Sequence, residues 1–233
     1  VAFFACVRIG AIPVPVYPPA NQGFQQSLQK MNFIAADCAA RAVLTDRSYF
    51  WSMKINQTRD RLSRFNFKKD LVSGLEWVVT SDARPNKNYQ LTEARSEILF
   101  LQYTSGSTNQ PKGVMVSHDN ILYNAEIVVD HKPIGVSWLP QYHDMGLIGY
   151  YLFFAIKGGT TYGFSPLDFI NRPALWFETI TKFKGTASSA PNFAYEYCMR
   201  PGKIPKEAWS KYDLSSLRFL MTAAEPVRPA TYN

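Results

Sequence analysis

The sequence predicts an α/β fold of layered, mostly parallel sheets with helices, and three observations carry that reading. Short β-branched and aromatic runs alternate with longer segments whose apolar residues recur at helical spacing, the pattern of strand-helix-strand crossovers. Glycine and proline punctuate the joins, as at Gly10, Pro13, Pro18, Pro19, Gly158 and Gly159. The 233 residues suffice to bury the majority of an unfolded chain's surface without metal or disulfide staples.

Val1 to Ile9 reads as the end of a helix stopped by Gly10, and Val14 to Tyr17 as a strand closed by Pro18-Pro19. Phe24, Leu28, Met31 and Ala35 share one helical stripe, which predicts a helix over Phe24 to Cys38. Ala42 to Thr45 follows as a strand, Tyr49 to Phe65 as a more polar helix and Trp77 to Thr80 as a strand. Ser81 to Asn88 is the most linker-like stretch. Ile98 to Tyr103 is a strand running into TSGSTNQPKG, and Val114 to Val116 resumes the β pattern. Ser117 has the chemistry of an N-cap for a helix over His118 to Val129. Beyond it come a strand at Ile134 to Leu139 and an apolar helix at Met145 to Ile156, ended by Gly158-Gly159. Strands at Thr160 to Gly163, Thr186 to Ser189 and Leu217 to Thr222, with helices at Pro173 to Phe183 and Pro191 to Met199, complete the alternation. No internal repeat is visible.

Composition excludes several classes. The chain is 46% hydrophobic and 18% charged, too apolar and too weakly charged for disorder, and it has no fibrous period. The net charge of +7 would suit a polyanion. Its cations are scattered, however, and the densest group, Arg59, Arg61, Arg64, Lys68 and Lys69, reads as a solvated helix face, so no nucleic-acid partner is expected. Cys6, Cys38 and Cys198 are odd in number and far apart, matching neither a disulfide framework nor a metal motif, and a reducing cytoplasm is the expected location. Val1 to Ile12 is apolar but interrupted by Arg8 and followed by Pro13, and no stretch reaches the ~18 apolar residues of a transmembrane span. A chain without an initiator Met, opening inside VAFFACVRIG, reads as a piece of something longer.

The chemistry concentrates in Thr104 to Gly113, Thr-Ser-Gly-Ser-Thr-Asn-Gln-Pro-Lys-Gly. Glycines let backbone N–H groups approach an anion, hydroxyls donate to its oxygens and a lysine supplies a point charge, so the composition suits a polyphosphate. A Walker loop is excluded by order, since Gly106 is followed by five residues before Lys112-Gly113 and no Ser or Thr follows the lysine. A polar turn between strands would use the same residue types, and composition alone leaves both readings open.

The ordered string decides between them by resemblance. YTSGSTNQPKGV, Tyr103 to Val114, resembles the phosphate-binding signature of the adenylate-forming superfamily, which includes acyl-CoA synthetases, luciferases and peptide-synthetase adenylation domains. SWLPQYHDMGLIG, Ser137 to Gly149, is similar to the fatty acyl-AMP ligase form of the next motif. AAEPV, Ala223 to Val227, is similar to that subfamily's adenine-contacting element, and IGAIPVPVYPP, Ile9 to Pro19, to a segment near the front of such ligases. The resemblance covers essentially the whole chain.

It implies ATP-dependent activation of a fatty acid to an acyl-adenylate with release of pyrophosphate, for transfer to an acyl carrier protein in a polyketide or peptide synthase pathway. Thr104, Ser105, Gly106, Ser107, Thr108, Lys112 and Gly113 would bind the ATP phosphates, with Thr104, Lys112 and His143 catalytic. Ala223, Ala224 and Glu225 would lie against the adenine and ribose side. Met145, Gly146 and Gly149 would border the acyl pocket, where each methylene is worth ~0.8 kcal/mol. Asp144 reads as a helix-capping carboxylate. Mg²⁺ is implied as well, its ligands mostly outside this chain. One departure concerns the adenine element: the family commonly has Asn or Ser then Gly where this chain has Thr222-Ala223, which matters if the backbone needs positive φ.

The chain stops soon after Pro226, before the family's Mg²⁺-holding and ribose-binding elements, the hinge and the small C-terminal lid. The expectation is therefore a partial adenylation domain over residues 1–233, lacking its beginning and its later motifs, and inactive in isolation. Two alternatives stand beside the main reading: an acyl-CoA ligase sharing the first half-reaction, and a non-catalytic nucleotide-binding remnant.

Overall fold

Proline and glycine set the beginning of the first unit, Val1–Ser117. The computed structural model describes residues 1–19, 24–63, 74–84, 96–104, 110–128 and 132–231. Helix α1 (Ala2–Arg8) stops where Gly10 turns to φ 75°. The strand expected at Val14 to Tyr17 does not form, and those residues carry no regular structure. Pro13, Pro15, Pro18 and Pro19 remove the N–H donors a ladder requires, and the Leu101 N–H of the neighbouring strand donates to the Pro13 carbonyl at 3.1 Å.

Helix α2 (Phe24–Asp37) buries Leu28, Met31 and Ile34. Strand β1 (Ala42–Thr45) pairs in parallel with β2 (Glu76–Val79) across helix α3 (Arg47–Ser63). That helix begins earlier than its apolar pattern does, because Asp46 accepts the Tyr49 N–H at 2.8 Å and supplies an N-terminal oxygen. Leu28, Met31 and Met53 form the core here, with Val43, Leu75 and Trp77 packed against them. Thr80 leaves β2 for a short 3-10 turn (Thr80–Asp82), its hydroxyl donating to the Thr45 carbonyl. The basic residues Arg64, Lys68 and Lys69 and the later part of the expected linker, 85–88, lie outside the described residues. The unit closes with an antiparallel hairpin of β3 (Ile98–Thr104) and β4 (Lys112–Ser117), so its second sheet departs from the parallel expectation.

The second unit, His118–Asn233, opens with α4 (His118–Val128) and carries β5 (Ile134–Ser137), β6 (Thr160–Gly163), β7 (Ala187–Ala190) and β8 (Phe219–Thr222). These form one parallel sheet in the order β6-β5-β7-β8. Alternation along each strand puts Gly135, Ala187, Ser189, Phe219 and Met221 on one face and Val136, Ser188 and Leu220 on the other.

Onto the first face comes one helical rod of three parts, α5 (Asp144–Gly146), a π-helical stretch (Leu147–Leu152) and α6 (Phe153–Ile156). The sequence predicts a single α-helix there. Thr161, on β6, donates its hydroxyl to the Tyr150 carbonyl, and an outside donor to a helical carbonyl is a recognised cause of a widened turn. Gly135 lets the rod sit close, since a Cβ there would strike the Phe154 and Tyr150 rings.

Helices α7 (Pro166–Asn171), α8 (Ala174–Phe183) and α9 (Asn192–Met199) follow. Helix α8 packs on the second face: Trp176 Nε1 donates to Ser188 Oγ at 2.8 Å, and that hydroxyl donates to the Val136 carbonyl at 2.6 Å. Trp176, Phe169 and Ile180 are almost wholly buried, worth ~1.5–3 kcal/mol for each aromatic or aliphatic side chain. Helix α7 is too short for periodicity to announce. Its signal is Ser165-Pro166 with Asp168, a reciprocal capping box with proline at the first helical position.

Candidate active site

The hairpin of the first unit puts two candidate residues together. Thr104 ends β3, Lys112 begins β4, and the two are register partners; both are exposed. A hydroxyl and an ammonium group therefore stand at the two roots of one loop. Ser105, Gly106, Ser107 and Thr108 lie outside the described residues. Gly113 pairs with Tyr103, and a Cβ on Gly113 would meet the Tyr103 ring, so glycine lets the tyrosine lie flat over the strand. The Tyr103 hydroxyl donates to the Asp37 carboxylate at the end of α2. Burial, with that hydrogen bond second, raises the phenol above its ordinary range, so it remains a neutral donor.

In the second unit β5 ends at Ser137 and the chain turns through Leu139-Pro140-Gln141-Tyr142 to His143, the N-cap of α5. His143 Nδ1 lies 2.6 Å from Asp144 Oδ1. The Met145 N–H is 2.6 Å from the same oxygen and 3.3 Å from Nδ1. Both side chains thus accept the Met145 N–H, His143 as the N-cap and Asp144 from the first turn of the helix. Nε2 is then the histidine nitrogen left to meet a ligand, and the side chain is half-exposed. Nδ1 thus faces Asp144 and the Met145 N–H, a link that residue identity alone does not reveal.

Beside this turn a cavity of about 420 Å³ lies between the helical rod and strands β7 and β8. Met145 and Gly149 line it, with Ile148, Phe153, Phe154 and Met221. Gly149 faces open space. Gly146 is placed differently: a Cβ there would collide with the Pro140 carbonyl, so this glycine seats the His143 turn against the rod. Two residues the motifs did not single out, Tyr150 and Ser189, also line the cavity. The sequence signal for Ser189 is a pair of serines inside a strand buried at every position.

Ala223 continues from β8, its N–H donating to the Ala190 carbonyl at 3.3 Å. Ala224 has φ 71°, so the positive φ falls one residue after the position where the family commonly carries glycine. Glu225 Oε1 accepts the Phe193 N–H, an otherwise open donor in the first turn of α9. Asn192 accepts the Arg228 N–H at 3.2 Å, which ties the segment beyond Pro226 to the same helix. Thr104, Lys112 and Gly113 therefore lie in the first unit, and His143, Met145, Gly146, Gly149, Ala223, Ala224 and Glu225 in the second. Among the described residues no group of three His, Cys, Asp or Glu side chains gathers around one point, and no helix is long and apolar enough to cross a membrane.

A family model described as AMP-binding enzyme matches residues 1–233. The medium-chain-fatty-acid–[acyl-carrier-protein] ligase JamA of Moorena producens is 34% identical over 99% of this chain and 38% of its own length. The long-chain-fatty-acid–AMP ligase FadD32 of Mycobacterium marinum is 31% identical over 99% of this chain and 36% of its own. The solved fatty acyl-adenylate ligase of L. pneumophila, in complex with acyl adenylate and pyrophosphate, superimposes with a TM-score of 0.79 at 37% identity, covering 99% of this chain and 38% of that one. The chain thus spans little more than a third of the length of these relatives.

Proposed function

The chain belongs to the AMP-binding enzyme family, and from that premise we propose that the intact protein activates a fatty acid with ATP, forming an acyl-adenylate and releasing pyrophosphate, for transfer to an acyl carrier protein. The observation that carries this reading is the pairing of Thr104 with Lys112 at the roots of the hydroxyl-rich loop, within a chain 37% identical to a ligase solved with acyl adenylate and pyrophosphate.

The fatty acid carboxylate is ionised at neutral pH and needs no base. One of its oxygens bonds to the α-phosphorus of ATP while the bond from that phosphorus to the bridging oxygen breaks, and pyrophosphate leaves with the electron pair. Charge grows on the phosphate oxygens, where Thr104 donates a hydrogen bond and Lys112 supplies a cation. His143, its Nδ1 facing Asp144, presents Nε2 toward the carboxylate and α-phosphate and acts by orientation. Glu225 and the Ala223-Ala224 backbone hold the adenine side. Mg²⁺, when bound to the triphosphate, supplies further charge neutralisation; the described residues offer it no cluster of three ligands.

The acyl chain occupies the cavity beside Met145 and Gly149, where each methylene buried contributes ~0.8 kcal/mol. Carrier protein, rather than coenzyme A, is the acceptor we favour, on the likeness to a relative named as an acyl-carrier-protein ligase. The test is to supply the intact protein with ATP, a fatty acid and either a phosphopantetheinylated carrier protein or coenzyme A. Acyl-carrier protein without acyl-CoA is the expected product. Acyl-CoA as the sole thioester would reassign the acceptor, and nucleotide binding without turnover would leave the remnant alternative.

A further inference from the structure

The cavity of the second unit follows the sheet from one end to the other. Ser189 and Met221, on β7 and β8, line it near the carboxyl ends of those parallel strands, and Asp144 and Met145 of the His143 turn line it too. Pro133, Thr186 and Arg218 also belong to the lining, and each immediately precedes a strand, β5, β7 and β8 respectively. Arg218 and Met221 are three residues apart, about 10 Å along an extended strand. A fatty acid that lies in the cavity with its carboxylate toward His143 therefore points its far end toward Arg218.

The lining is apolar apart from hydroxyls already bonded within the protein and two charged residues at opposite ends. The Tyr150 hydroxyl donates to Ser189 Oγ at 2.8 Å, and Thr186 Oγ1 accepts the Ile134 N–H at 2.9 Å. Asp144 accepts the Met145 N–H within the His143 turn. Arg218 is different. Its backbone N–H donates to the Thr186 carbonyl at 2.8 Å, which fixes the residue beside the cavity, yet among the described residues no carboxylate, carbonyl or ring engages its guanidinium. The residue is exposed, so its charge is open to a ligand. A solvated arginine costs the fold nothing; what singles this one out is its place, as the cation of an otherwise apolar wall at the end opposite the reacting carboxylate.

We propose that Arg218 binds an anionic oxygen group at the distal end of the acyl chain, so that the substrate class is an α,ω-dicarboxylic acid whose second carboxylate pairs with the guanidinium. This rests on the acyl-adenylate reading above and deepens it. The planar fork of N–H donors matches a carboxylate with two parallel hydrogen bonds, whereas a methyl terminus offers it no acceptor. Because the sheet sets the span from the His143 turn to Arg218, the preference depends on chain length. A diacid that is too short leaves its second carboxylate against apolar wall, where an unpaired charge is strongly disfavoured.

The experiment uses the intact protein with ATP and hydroxylamine, which traps acyl-adenylate as hydroxamate. The substrates are α,ω-diacids of increasing length, each beside the monocarboxylic acid of the same length. One diacid length is expected to exceed its monocarboxylic partner in kcat/KM by roughly fivefold, the upper range for a solvent-exposed ion pair and above the about twofold that two equivalent carboxylates give. Arg218→Gln is expected to bring that ratio down to about two or below, and Arg218→Glu to favour the ω-amino acid of that length over the diacid. Ratios of about two or less at every length, or a higher ratio that persists in Arg218→Gln, overturn the inference while hydroxamate formation keeps the adenylation reading. Hydroxamate from none of the acids overturns the adenylation reading and the inference with it.

Discussion

Thr104 and Lys112 stand opposite each other across the β3–β4 ladder, the last residue of one strand against the first of the next. Directly opposed residues in an antiparallel pair hold their Cβ atoms about 4.5–5.5 Å apart, so the loop they bracket starts and finishes with a donor at nearly one point. Lys112→Ala in the intact protein is expected to slow acyl-adenylate formation by ~10²–10³, the typical loss of one preorganised donor at developing charge. Both residues are exposed, so unfolding free energy is expected to change by no more than about 0.5 kcal/mol. Pyrophosphate-release kinetics paired with denaturant melts separate the two effects. An unchanged rate, or a rate lost only alongside stability, removes Lys112 from the phosphate site.

Gly146 seats the His143 turn, because a Cβ there meets the Pro140 carbonyl, which is backbone and cannot rotate away. Gly146→Ala is expected to destabilise by about 1–3 kcal/mol, in the range of overpacking, and to lower kcat more than it raises KM for ATP as the His143 ring is displaced. Gly149→Ala is the control, since it adds a methyl into open space. Urea melts of the two variants should differ by that margin, and equal stability would show that the Pro140 approach does not restrain the turn.

Ala224 holds φ 71°, a conformation costing an L-residue about 1–2 kcal/mol, against which glycine's extra unfolded entropy of about 0.5–1 kcal/mol must be set. Ala224→Gly is therefore expected to raise stability by roughly 0.5–1 kcal/mol, while Ala223→Gly, at the position where the family commonly has glycine, is expected to lower it. Chemical denaturation of the pair decides between the two positions.

Burial pushes the Cys198 thiol up to about 12, and the side chain is only 2% exposed. In the unfolded chain a cysteine ionises near pH 8.5, so from there up to about 12 the unfolded state binds fewer protons than the folded one. Stability contributed by this group is full below that window and falls as pH rises through it, by up to ~1.4 kcal/mol per pH unit. Cys198→Ala should flatten the alkaline limb of stability against pH. An identical limb in the variant would assign the slope elsewhere, for instance to Tyr150, whose hydroxyl burial also raises above its ordinary range.

How much of this was legible depends on whether the signal was local. The parallel strands β5 to β8 are short runs set between helices and were readable from that alternation, as was the hairpin strand that leads into the hydroxyl-rich loop, although β6 (Thr-Thr-Tyr-Gly) and β7 (Ala-Ser-Ser-Ala) are partly polar. Val14 to Tyr17 had the side chains of a strand but lacked donors, because prolines alternate with them, and side-chain pattern does not count N–H groups. The Met145 to Ile156 rod became partly π-helical through a hydroxyl on β6, a tertiary partner that periodicity cannot see. Asp144 was legible as a carboxylate at the helix start, but the N-cap itself is His143. The approach of Asp144 to His143 Nδ1 and the Tyr150–Ser189 pairing both depend on which atoms meet after folding.

The most direct test of acyl-adenylate formation is to mix the intact protein with ATP and a fatty acid, with no thiol acceptor present, and quantify nucleotide and acyl products together by mass spectrometry. The expected result is one pyrophosphate for each fatty acyl-AMP, with nucleotide consumed as ATP and retained as AMP in the mixed anhydride. Release of ADP and inorganic phosphate, or consumption of ATP with no acyl-AMP formed, would contradict it.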